Sequence, residues 1–116
     1  MAKKYHWHKI AETAAELMEP GQELKGFEAG GKKLCLARHN GRLFACAATC
    51  PHAGGLMEEG WIDAAGNIVC PVHRYKFSLE KGRNTSGEGY FLKTFPIEER
   101  PDGIYVGIEI PGFFGW

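Results

Sequence analysis

Apolar and polar positions alternate along most of this chain with the two-residue period of a β-strand. Tyr5 to Ile10 alternates and reads as a strand. Ala11 to Met18 is the one stretch with helical character, a turn or two that Pro20-Gly21 stops. Glu23–Ala29 and Lys32–His39 flank Gly30-Gly31, a hairpin signal. Asn40-Gly41 is a stronger one, between Leu34–His39 and Arg42–Ala48, because both central positions of a type I′ turn need positive φ. Gly66-Asn67, Glu80-Lys81-Gly82 and Pro101-Asp102-Gly103 mark three further turns. Short strands at this spacing predict an all-β fold, an antiparallel sandwich or small barrel. Residues 1–116 read as one domain, with no repeat, linker or low-complexity segment.

Composition narrows the function classes. At 116 residues the chain builds one core and leaves nothing for a second catalytic domain. Fourteen basic residues balance fourteen acidic ones, so no basic stripe recommends nucleic acid. The first nine residues begin basic but lack the apolar stretch of a signal peptide. The longest apolar run, Leu43 to Thr49, is far too short to cross a membrane. A soluble, cytoplasmic protein is the expectation.

The chemistry concentrates in four residues. Cys50-Pro51-His52 and Cys70-Pro71-Val72-His73 each supply one thiolate and one imidazole. A zinc finger usually gathers two Cys first and two His later, because one tetrahedral ion takes its ligands in almost any order. The mixed order suits a binuclear iron–sulfur cluster, in which each loop delivers one ligand to each iron. Pro51 and Pro71 fix φ after each sulfur, and Gly54-Gly55 allows the first loop a tight turn. A zinc-binding interaction module stays open as the competing class.

Cys50-Pro-His-Ala-Gly-Gly and Cys70-Pro-Val-His-Arg-Tyr-Lys-Phe resemble the two cluster-binding boxes of Rieske [2Fe-2S] proteins, and the likeness runs on to Pro101-Asp102-Gly103. The resemblance implies one [2Fe-2S] cluster held by Cys50, His52, Cys70 and His73, with both imidazoles bound through Nδ1. It implies a three-stranded cluster subdomain, Trp61 to Leu79 (about 50–79 with its first loop), inserted into a larger sandwich. High-potential members carry two extra cysteines in a disulfide, a Ser and a Tyr; here Gly55, Val72, Tyr75 and Phe77 stand at those positions. A potential at the low end of the Rieske range is therefore expected, about −150 mV or somewhat above. The Tyr75 hydroxyl is expected to reach solvent or a partner.

The function implied is a one-electron carrier, not itself an enzyme. It would pass electrons from a flavin- or NAD(P)H-linked reductase to a terminal oxygenase or similar acceptor. A redox small subunit of a nitrite-reductase-like complex is the alternative. The stretch Asn84 to Tyr90 corresponds to a lid over the cluster, with glycine where proline is usual. The docking surface is expected around Ala53-Gly54-Gly55-Leu56, Arg74-Tyr75 and the Ser86–Tyr90 loop.

Other candidates read as structural. Counted out from Asn40-Gly41, Cys35 and Cys46 face each other as a hydrogen-bonded pair, less suited to a disulfide, and read as small core residues. His6 and His8 share one strand face, opposite Tyr5 and Trp7, and read as exposed; His39 beside the turn does too. No three of these residues form a 2-His-1-carboxylate iron site. The aromatic tail Ile110 to Trp116 either packs on the sandwich or forms a patch for a partner or for weak self-association.

Overall fold

A computed structural model describes residues 4–52 and 54–110. Among the described residues ten strands run in chain order: β1 (Tyr5–Ala11), β2 (Leu24–Ala29), β3 (Lys32–His39), β4 (Arg42–Ala47), β5 (Trp61–Ile62), β6 (Asn67–Val69), β7 (Lys76–Ser78), β8 (Thr94–Phe95), β9 (Ile97–Arg100) and β10 (Gly103–Glu109). One short helix, α1 (Ala14–Leu17), and a 3-10 turn, Met57–Glu59, complete the described elements. The helix is shorter than its sequence pattern implies, because Ala11 extends β1 and pairs with Ile104. Thr13 caps it, and its N–H donates to the Glu16 carboxylate at 3.1 Å.

The strands form three antiparallel sheets, ordered β1-β10-β9, β2-β3-β4-β8 and β5-β6-β7. The four-stranded sheet is the middle layer. Leu34, Ala45 and Phe95 pack from one face against Val106 and Ile108 of β10. Cys35, Ala37 and Cys46 pack from the other against Met57, Ile68 and Phe77 of the small sheet and its approach. Burial on both faces is why β3 carries the unbroken apolar run Leu34-Cys35-Leu36-Ala37 where a half-solvated strand would alternate.

The hairpin turns follow their local chemistry. Asn40 and Gly41 hold φ of 51° and 77°, which sets Cys35 opposite Cys46. Both cysteines are buried and unbridged. The neighbouring Cys35 thiol, then burial, push the Cys46 thiol well up. Two histidines differ from expectation. His8 is half-buried against Gly30, and His39 is half-buried against the β5–β6 turn at Gly66. The tail beyond Ile110 lies outside the described residues.

Candidate metal centre

Strand β4 leads into a first loop carrying Cys50 and His52, and the β6–β7 turn forms a second carrying Cys70 and His73. The two loops share one backbone pattern. In the first, the Cys50 N–H donates to Gly55 O at 2.8 Å and the Gly54 N–H to Cys50 O at 3.0 Å. In the second, the Cys70 N–H donates to Tyr75 O at 2.9 Å and the Arg74 N–H to Cys70 O at 3.0 Å. Each needs a left-handed residue four places after its cysteine: Gly54 at φ 73° and Arg74 at φ 61°. The chain thus presents two equivalent prongs.

Their donors converge in matched pairs. Cys50 and Cys70 are buried at 3% and 0% exposure and lie beside each other at the base. Nδ1 of His52 and Nδ1 of His73 face each other at 3.5 Å above them. Burial, then the Cys50 sulfur, raise the Cys70 thiol, while backbone N–H groups of Val72 and His73 aim at its sulfur and favour its thiolate. Among the described residues no three His, Cys, Asp or Glu side chains converge on one mononuclear point. A binuclear cluster needs none, since sulfide bridges complete each iron that takes two protein ligands. Gly55 leaves the space between the prongs open; a side chain there would run into Val72 and stand 3.2 Å from the Cys70 sulfur. Two buried sulfurs, two paired Nδ1 atoms, amide donors and a small cradle fit a [2Fe-2S] group.

An aromatic layer surrounds the imidazoles. The Tyr75 ring stacks on His52, with centroids 4.1 Å apart and planes 25° apart. Tyr90 reaches His52 at 5.3 Å and Tyr75 at 5.8 Å. Residues 84–90 form a built loop without proline. The Asn84 amide donates to Lys76 O and Glu88 Oε1, its Oδ1 accepts from the Gly89 N–H at 2.8 Å, and Ser86 Oγ accepts from the Lys76 N–H at 2.9 Å. Hydrogen bonds from Ser86 and Asn84 hold the Glu88 carboxyl below its ordinary range. The expected docking residue Ala53 lies outside the described residues; Leu56 and Tyr90 are exposed at 41% each.

An all-β fold that holds out two Cys/His prongs, one after β4 and one on the small sheet, defines the class, a binuclear iron–sulfur electron-transfer domain. The chain belongs to the Rieske [2Fe-2S] domain family, whose model matches residues 6–96, and the family carries one [2Fe-2S] cluster. It is 29% identical to the alkene monooxygenase system ferredoxin component of Xanthobacter autotrophicus, over 75% of this chain and 71% of that protein. It is 30% identical to a nitrite reductase [NAD(P)H] of Emericella nidulans over 71% of this chain but 8% of that enzyme. Its fold matches a chain in the complex of reduced oxygenase and oxidised ferredoxin of carbazole 1,9a-dioxygenase: TM-score 0.72, 27% identity, covering 87% of this chain and 92% of that one. No described helix is long and apolar enough to cross a membrane.

Proposed function

We propose that Cys50, His52, Cys70 and His73 hold one [2Fe-2S] cluster, the two thiolates on one iron and the two imidazoles on the other. The protein is then a one-electron carrier and not itself a catalyst. It accepts electrons from a flavin- or NAD(P)H-linked reductase and delivers them to a terminal oxygenase or comparable acceptor. The observation that carries this is the pairing of two buried thiols beneath two Nδ1 atoms 3.5 Å apart, on loops with one backbone pattern. Bound there, the cluster supplies a centre that holds or gives up one electron. The chain's part is to keep water from the sulfurs, to aim the Val72 and His73 amides at Cys70, and to carry the imidazoles towards the surface.

We read residues 1–116 as one domain, with the cluster-binding subdomain at about 50–79, and assign the protein to the cytoplasm, where Cys35 and Cys46 stay reduced. Iron and acid-labile sulfide should be present at about two each per chain, with a Rieske-type reduced EPR signal. Cys50→Ser or Cys70→Ser should lose both. One zinc and no sulfide would refute the assignment and leave a zinc module. The stretch shared with the nitrite reductase of E. nidulans supports a second reading, a redox subunit of a nitrite-reductase-like complex. Turnover with a nitrite reductase catalytic subunit, and none with an oxygenase, would select it.

A further inference from the structure

The two imidazoles share an inner face but not an outer one. His52 is half-buried: Tyr75 stacks on it at 4.1 Å and Tyr90 closes a second side at 5.3 Å. His73 stands 6.2 Å from Tyr75, its ring tilted by 45°, and is exposed. The cover over His52 is fixed at both ends. Tyr75 O accepts the Cys70 N–H within the second prong, and Tyr90 follows a loop tied by Asn84 and Ser86 to the backbone of Lys76. A partner approaching from the tyrosine side is kept from His52 by one aromatic thickness, roughly 3.5 Å. The residues flanking His73 in the chain, Val72 at 49% exposure and Arg74, are exposed as well.

We propose that Tyr75 and Tyr90 form a cap that closes off His52, and that His73 is the edge through which this protein exchanges electrons. The proposal rests on the ligand assignment above. In each encounter one electron crosses the His73 edge between the bound cluster and the partner's flavin or iron centre. One side is oxidised and the other reduced by one electron, and no bond forms or breaks.

Diethyl pyrocarbonate acylates accessible imidazole nitrogen, and peptide mapping by mass spectrometry assigns the site. In the cluster-loaded protein His73 should be labelled about tenfold faster than His52, since two ring contacts of this kind suppress opening of the cap to about that extent. In Tyr75→Ala/Tyr90→Ala, with the visible spectrum intact, the two rates should come within about twofold. Equal labelling in the unsubstituted loaded protein overturns the proposal, and that ratio decides the matter even if the double variant fails to assemble. In that same variant electron delivery to cytochrome c, used as a one-electron probe, should stay within about twofold of the parent because His73 is already open; delivery about tenfold faster would show His52 to be the better edge and count against His73. Failure of the ligand assignment would look different, as missing iron and sulfide before any labelling.

Discussion

The turn that feeds the second prong hangs on Asp63, and its removal has a calculable cost. Asp63 Oδ1 accepts the N–H groups of Ala65 and Asn67, both at 3.0 Å, and Oδ2 accepts the Asn67 amide at 3.1 Å. Lys76 Nζ on the adjacent strand stands at 3.7 Å. Asn67 opens β6, which ends one residue before Cys70, so slack in this turn passes directly to a proposed ligand. In Asp63→Ala the exposed Ala65 N–H returns to water at little cost. The partly buried Asn67 donors lose a charged acceptor, and about 2 kcal/mol should go with them. For a chain of this size that lowers the thermal midpoint by roughly 8 °C. Asp63→Asn keeps one acceptor oxygen and should lose about half as much. Burial alone would raise the Asp63 carboxyl, but the Asn67 and Ala65 hydrogen bonds and Lys76 outweigh it and hold the group below its ordinary value. A lowered folded value means the stabilisation is whole above the unfolded carboxylate value, about 3.9, and is lost as pH falls through the folded one. The gap between parent and Asp63→Ala should therefore be constant at neutral pH and shrink below about pH 4. The assay is a thermal scan of cluster-loaded protein at one fixed rate, followed by visible absorption and far-ultraviolet circular dichroism. A variant within about 0.5 kcal/mol of the parent at pH 7, or a gap that widens on acidification, would refute the reasoning.

Gly82→Ala should cost about 3 kcal/mol or more in the same scans, because its φ is 74° and a Cβ would lie 1.8 Å from the Leu92 carbonyl oxygen, backbone that cannot step aside; a loss under about 1 kcal/mol would mean the loop closes by another route. Arg74→Gly should stabilise the protein by up to about 1 kcal/mol, since it relieves a left-handed non-glycine residue; a drop in the unfolding midpoint would show that the Arg74 side chain contributes more than its backbone costs. The midpoint potential should lie near −150 mV by voltammetry, at about the low end of the Rieske range, because fully buried Phe77 offers no hydroxyl to a sulfur. A value above about 0 mV would show that other donors govern it.

Sequence alone determined what depends on neighbours in the chain. Asn40-Gly41 specifies a turn because only a few residues tolerate positive φ there, and that turn sets Cys35 opposite Cys46 by counting. The four ligand-type residues were legible because their spacing and mixed order carry chemistry whatever the surroundings. The small inserted sheet came with the resemblance those residues carry. Other features depend on what packs from far away. β3 is buried on both faces only because two different layers close on it. His8 and His39 look like surface residues in their own strands, and become half-buried through Gly30 and Gly66 on other elements. Tyr75 sits two residues after His73 yet stacks on His52 across the gap between the prongs, and Tyr90 joins it from a loop that hydrogen bonds to Lys76 hold in place. Local pattern encodes which residues bend and which can ligate. Which of two equivalent imidazoles stays open was decided by the tertiary fold, because a ring is covered by whatever the folded chain brings within contact, at any separation in sequence.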